Sequence, residues 1–232
     1  MGRKDLALID PGPDVEDHVR ALVTWVEDAS SVRILLTHGH GDHTGAARAV
    51  AAALDAPIHG PPELDLVDHP LAEGDEIETD EGEIVAVDSP GHARRHYSYS
   101  WPSRAALFAG DLVLGRGDTT WVGEYPGCVS DYLASLARLR ALELQVIYPA
   151  HGDPLEDVSE ALGRFEAHRR ARIREVEEAL RQDPDASARG ILESIYGRDL
   201  HPELEAAALR SVQALLDHVQ STSRGRGDPS AG

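Results

Sequence analysis

Apolar and polar positions alternate in a way that predicts short strands separated by helices for most of the chain. Leu6-Ala7-Leu8-Ile9-Asp10 is a short apolar run stopped by Pro11-Gly12, which predicts a buried strand. From Pro13 to Ala29, Val15, Val19, Leu22, Val23 and Val26 recur at helical spacing. Val32 to Thr37 is apolar and β-branched and predicts a second strand. An Ala-rich helix over Gly45 to Leu54 and a strand at Pro57-Ile58-His59 complete a βαβ pattern. Residues 60–82 are acidic and rich in Pro and Gly, so they read as turns. Further strands are predicted at Glu83–Asp88, His96–Trp101, Ala105–Ala109 and Gln145–Tyr148. Ser130 is the expected N-cap of a helix running to Leu142.

The pattern changes after Leu155. One long charged helix runs to Gln182, with Leu155, Val158, Leu162 and Phe165 as its apolar stripe, and Asp183-Pro184-Asp185 breaks it. Two shorter helices are expected at about 187–197 and 202–220. Residues 221–232 are rich in Ser, Gly and Arg and read as a disordered tail.

Clusters of His and Asp follow the predicted strands. Thr37-His38-Gly39-His40-Gly41-Asp42-His43 sits directly after the second strand. His92 follows Ser89-Pro90-Gly91, Asp111 follows Gly110, and His151 precedes Gly152. Loops held by a rigid sheet are where α/β and α+β folds place their chemistry, and one sheet edge would bring these loops together. Imidazole and carboxylate are the donors that zinc takes in catalytic sites. In an extended segment residues two apart face the same side, so His38 and His40 are placed to grip one ion, with Asp42 and His43 reaching a second. His18, His59, His69 and His218 stand alone and read as structural or solvated.

His-x-His-x-Asp-His, then Pro-Gly-His, then Gly-Asp, then Ala-His-Gly resembles the metallo-β-lactamase superfamily in order and spacing. The resemblance covers roughly residues 5–155. It implies an α+β fold of the αββα sandwich type with two divalent metal ions, zinc before iron or manganese. Carried over by motif, His38, His40 and His92 hold one ion, Asp42, His43 and His151 hold the other, and Asp111 bridges them. Asp42 and Asp111 are then the catalytic carboxylates, orienting a metal-activated hydroxide or passing on its proton. The domains expected are a catalytic domain over 1–155, a helical C-terminal domain over 156–220 and the tail over 221–232.

Composition limits the substrate. The 232 residues carry 22 basic and 41 acidic side chains, for a formal charge of -19. That excludes a broad nucleic-acid-binding surface, which needs basic residues to displace counterions from phosphates. Cys128 is the single cysteine, so there is no internal disulfide framework. No apolar run is long enough to span a membrane and no secretion signal opens the chain, so a cytoplasmic protein is expected. No Gly-x-Ser-x-Gly nucleophile elbow is present.

Flanking segments point to a narrower group. Leu112–Gly117, Thr119-Thr120-Trp121, Tyr125–Tyr132 and Phe165–Arg172 resemble the β-lactamase-like protein 2 group. This implies zinc-dependent cleavage of single-stranded RNA and a winged-helix-like C-terminal domain. Trp121, His168, Arg169 and Arg172 are the candidate substrate contacts. His168 and Arg172 share a helix face, and with Arg169 they would meet a phosphate through charged hydrogen bonds. A solvated charged helix explains the same residues. Arg94, Arg95 and Arg104 are positioned in sequence to extend a local basic rim. Two departures from the group stand out. The first strand here resembles an internal strand of the group, which leaves two readings, a misplaced start of the chain or a sandwich truncated at one edge, and no strand pair for a wing follows Asp217. Hydrolysis of a small thioester, ester or lactone, as in a glyoxalase II-like enzyme, fits the negative charge better than RNA does. A non-enzymatic winged-helix-like interaction protein is the third reading, and the complete ligand set argues against it. The sequence leaves the oligomeric state open.

Overall fold

The computed structural model describes residues 1–197 and 200–226. Two sheets lie face to face with helices on both outer faces, the αββα sandwich expected from the motifs. The first sheet is wholly parallel and ordered β1 (Asp5–Ile9), β2 (Ser31–Leu35), β3 (Ile58–Gly60) and β4 (His69–Pro70). The second holds β5 (Glu76–Thr79), β6 (Gly82–Asp88), β7 (Tyr97–Trp101), β8 (Ala106–Gly110) and β9 (Val146–Pro149) in that order. Its pairs are antiparallel except β8 with β9. The segment read as turns over 60–82 therefore contains β4 and the whole of β5. Both are short and mostly exposed, so they lack the apolar alternation that marks a strand in sequence.

Side-chain alternation assigns the layers. Ile34 of β2 packs outward with Val32, Ala47, Val50 and Ile58, beneath α1 (Glu16–Trp25) and α3 (Ala47–Leu54). Leu35 points the other way, into the layer between the sheets, with Ala7, Ile77, Ile84, Ala86 and Tyr99. Successive residues of β6 divide likewise, Ala86 inward and Val87 outward. Val87, Leu107 and Ile147 face α4 (Cys128–Arg140) and α5 (Val158–Gln182), with α6 (Ala188–Tyr196) and α7 (Pro202–Arg226) completing that apolar cluster. Burial of aliphatic and aromatic surface on this scale is the main stabilising term.

Several local expectations change. Helix α4 begins at Cys128 with Gly127 as its cap in the left-handed region, φ 92°. Ser130 lies inside the helix, where its Oγ meets His218 Nδ1 at 2.9 Å. Helix α1 is shorter than the apolar spacing indicates, because Pro11 to Asp14 lead into it as an irregular loop. Helix α7 continues to Arg226, so residues 221–226 of the expected tail are helical and 227–232 lie outside the described residues. No strand follows β9 among the described residues, which leaves the C-terminal region as three helices without a wing. No helix there is long and apolar enough to cross a membrane.

Candidate metal centre

The ligand loops leave the C-terminal ends of strands from both sheets, not one sheet edge. The segment after β2 carries His38 and His40 and then turns into α2 (Gly41–Thr44), which carries Asp42 and His43. His92 follows β6, Asp111 follows β8 and His151 follows β9. The parallel pairing of β8 with β9 places Gly110 opposite Pro149, which sets Asp111 and His151 side by side.

Three donor groups assemble: His38 with His40 and His92; Asp42 with His43 and His151; and His38 with His43 and Asp111. The first two are the ligand triplets carried over by motif. Asp111 lies between them, its Oδ2 3.5 Å from His43 Nε2 and 3.7 Å from His92 Nε2. Its other oxygen, Oδ1, is 3.6 Å from His151 Nε2. Asp42 Oδ2 approaches His151 Nε2 at 3.3 Å. His38, His43, His92 and Asp111 are buried, whereas the side chains of Asp42 and His151 are about half exposed.

Hydrogen bonds behind the ligands determine where each proton sits. His43 Nδ1–H donates to Asp10 Oδ2 at 2.8 Å. The Thr37 hydroxyl donates to the same oxygen at 2.7 Å, and the Thr37 amide donates to Asp10 Oδ1 at 2.8 Å. With its own proton directed at Asp10, Thr37 Oγ1 accepts from His38 Nδ1–H at 2.9 Å. His92 Nδ1–H donates to the carbonyl of Trp121 at 2.9 Å. Each of these imidazoles thus turns a bare Nε2 towards the centre. Outer hydrogen bonds of this kind set tautomer and ring orientation at metal sites.

These residues fit a pair of ions. Nε2 of His38 and Nε2 of His92 approach His40 Nδ1 at 3.0 and 3.1 Å. A tetrahedral ion with bonds of about 2.0–2.1 Å has ligand edges of about 3.3 Å. His43 Nε2 and Asp111 Oδ1 are buried without any hydrogen-bond partner, which is costly unless something else satisfies them. Both atoms face the centre.

The electrostatics agree. Burial, reinforced by neighbouring imidazoles, drives the pKa of His38 far below its ordinary value. Burial likewise lowers His92 to about 4, against a raising contribution from Asp111. For His43, burial works against the charged form, but the hydrogen bond to Asp10 and the negative charges of Asp10 and Asp111 outweigh it and push the pKa up to about 10, so an ion at the centre would take the place of a proton on Nε2. Asp111 is itself held below the usual carboxylate range, because its contacts with His43 outweigh the desolvation that would raise it.

Two supporting residues carried no sequence motif. Asp10 directly follows β1 in the left-handed region, φ 45°, and anchors both Thr37 and His43. His96 is wholly buried, accepts the Asp111 amide at Nε2 (3.3 Å) and donates from Nδ1 to Ser89 Oγ (2.9 Å). Burial lowers its pKa to about 3, so it stays neutral. Both were visible as polar residues ending or opening a strand, a weak signal. Of the other imidazoles, His18 meets the Pro11 carbonyl at 2.7 Å, and His59 and His69 do not stand alone but stack on each other at 4.9 Å.

The four expected substrate contacts divide. Trp121 is brought to the centre, its ring 6.4 Å from that of His40 and 6.2 Å from that of His92. Arg169 is buried, donating from Nη2 to the Thr120 carbonyl. Arg172 pairs with Glu175 and lies over the ring of Tyr196. His168 is partly buried, with Nδ1 unpartnered and Asp118 nearby. The trio therefore does not form one phosphate grip, because helical spacing points Arg169 into the core.

Beside His40 a groove of about 580 Å³ is lined by Leu64, Ala93, Tyr125 and Pro126, with Glu63, Arg94, Arg95 and Glu124 at its rim. Arg95 is paired with Glu63. The Arg94 guanidinium lies 4.4 Å over the Tyr125 ring, while its backbone amide donates to Glu124.

Comparison with known proteins agrees with this geometry. Residues 2–151 match the family model described as the metallo-beta-lactamase superfamily. The chain is 28% identical over 224 residues to a beta-lactamase-like protein 2 homolog of Caenorhabditis elegans, covering 90% of this chain and 72% of that protein. It is 31% identical over 214 residues to an atrochrysone carboxyl ACP thioesterase of Aspergillus chevalieri, covering 84% of this chain and 65% of that one. Among solved structures, a metallo-beta-lactamase family protein from Thermus thermophilus superposes with a TM-score of 0.78 at 22% identity, covering 96% of this chain and 87% of that one.

Proposed function

The chain belongs to the metallo-β-lactamase superfamily of hydrolases, and from that premise we propose that it hydrolyses a small acyl thioester or ester rather than RNA. The observation that carries this reading is the groove beside His40. Its lining joins the apolar side chains of Leu64, Ala93, Tyr125 and Pro126 to two cations and two carboxylates, so it suits an acyl chain with a polar end better than a run of phosphates. A net charge of -19 adds repulsion against a polyanion. The similarity to a protein named as a thioesterase supports the same choice.

His38, His40 and His92 would hold one ion and Asp42, His43 and His151 the other, with Asp111 facing both. Zinc is the first expectation, and His and Asp donors also suit iron and manganese. When bound, such a pair supplies Lewis acidity, bringing the pKa of water to about 7 and polarising the substrate carbonyl.

The protein's own groups do the rest. Leu64, Ala93, Tyr125 and Pro126 bind the apolar part of the substrate and exclude water from it. Arg94 offers a guanidinium to an anionic group on the substrate, since no carboxylate is paired with it among the described residues. Asp42 is exposed enough to accept the proton released by the attacking water at its carboxylate and return it to solvent. Hydrolysis then delivers OH to the acyl carbon and H to the departing sulfur or oxygen.

The test is a panel of acyl-CoA thioesters, aryl esters, lactones and single-stranded RNA, assayed with added zinc or manganese. Turnover of thioesters or esters with RNA left intact is expected. Cleavage of RNA with all acyl substrates untouched would reverse the assignment.

A further inference from the structure

One buried charged side chain among the described residues takes no part in the centre or the groove. Arg169 on α5 is 4% exposed, and no carboxylate pairs with it among the described residues. Burial lowers its pKa, its Nε has no hydrogen-bond partner, and its guanidinium carbon lies 5.3 Å from the Tyr132 ring centroid. An uncompensated buried cation is unfavourable for stability, so its retention calls for another reason.

Its single directed bond supplies one. Arg169 Nη2 donates to the Thr120 carbonyl at 2.9 Å. The next carbonyl, Trp121 O, accepts from His92 Nδ1, and the one after it, Val122 O, accepts from Ser211 Oγ of α7 at 3.0 Å. The Trp121 indole N–H donates to the Ala207 carbonyl of α7 at 3.2 Å, and Arg210 of the same helix lies over its ring. Thr120 Oγ1 also meets His92 Nδ1 at 3.3 Å. Three successive carbonyls are thus fixed by α5, by a metal ligand and by α7.

We propose that Arg169 is a positioning residue for the metal centre, clamping residues 120–122 so that the Trp121 carbonyl aims His92 at the first ion. The C-terminal helices then form part of the centre rather than a separate binding module. A solvated charged helix accounts for Arg170 and Arg172 but not for Arg169, which is inaccessible to water. A substrate-binding role is equally closed to it, because the guanidinium is buried against Thr120 and Tyr132. The inference rests on His92 being a ligand and not on the choice of substrate.

Each ion site is isolated by removing a ligand of the other. In a His151→Ala background the site of His38, His40 and His92 is read alone; in a His92→Ala background the site of Asp42, His43 and His151 is read alone. Affinity is measured by chelator competition with Zn²⁺, and ligand geometry by the visible absorption of bound Co²⁺. Arg169→Met is expected to weaken Zn²⁺ about tenfold to a hundredfold in the first background and to shift the Co²⁺ spectrum there. In the second it should change affinity by less than about threefold. Arg169→Lys, which keeps a donor, should recover part of the loss. Ser211→Ala removes only the strap from α7 and leaves the core intact, so it provides a milder probe should Arg169→Met fail to fold. It should show a smaller loss confined to the first background. Equal losses in both backgrounds, or no loss in the first with either variant, would overturn the proposal. If His92→Ala alone leaves Zn²⁺ binding unchanged, His92 is not a ligand and the proposal falls with it.

Discussion

Replacing Asp10 by Asn tests how His43 is aimed at the second ion. The Asp10 carboxylate accepts three hydrogen bonds, from the Thr37 amide, the Thr37 hydroxyl and His43 Nδ1–H. Asn keeps the shape and one oxygen, and it tolerates the left-handed backbone at this position. What it loses is Oδ2, replaced by an amide that can only donate. His43 must then either keep Nδ1–H without an acceptor or move its proton to Nε2. The first option leaves a buried donor unsatisfied at a cost of about 1–3 kcal/mol. The second removes the lone pair that would hold the ion. Either way Zn²⁺ affinity should fall about tenfold to a hundredfold, equivalent to about 1.4–2.7 kcal/mol. Chelator competition on the variant measures this directly. Thermal unfolding with and without Zn²⁺ should show a smaller metal-induced stabilisation than in the parent, since ligand binding to the native state raises its stability by mass action. Zn²⁺ affinity within about threefold of the parent would refute the claim that Asp10 sets the His43 tautomer.

Other outcomes follow from the same geometry. Asp111→Ala should lower turnover by more than about a hundredfold and reduce bound metal, read by elemental analysis, because this carboxylate faces ligands of both ions. Gly110→Ala should destabilise the fold by about 1–3 kcal/mol in denaturant unfolding, since a Cβ there would lie 2.8 Å from His96 Nε2 and from the Thr37 side chain, at φ +51°. Chelator-treated protein should lose thermal stability as pH falls below about 6.5. His38, His92 and His96 have lowered pKa values in the fold, so the unfolded chain binds protons that the native state refuses. Each contributes a slope of up to about 1.4 kcal/mol per pH unit. His43 has the opposite sign: its raised pKa stabilises fully below about 6.5 and fades as pH rises towards 10. A stability profile flat between pH 7 and 5 would contradict these assignments.

Periodicity located nearly every long element of this chain, because strands such as β2 and β6 and helices such as α5 bury whole faces that leave a repeating mark in sequence. It missed β4 and β5, whose residues are largely exposed and so lack the apolar alternation of a strand. It misplaced the start of α4, where a glycine in the left-handed region, not a side-chain oxygen, begins the helix. The ligand set was legible because metal chemistry demands specific donor types, and those donors recur in motifs of fixed order.

By itself the sequence determined the strand-and-helix alternation, the His and Asp donors and the negative charge that disfavours a polyanion. These are properties of residue type and local spacing, which survive without a fold. Only the tertiary structure decided that the donors come from two facing sheets, that Asp10 and His96 stand behind them, and that Arg169 is buried beneath Thr120. Each of those depends on which way a side chain points after distant segments pack, and helical spacing alone placed Arg169 beside His168 and Arg172 without showing that it faces the core.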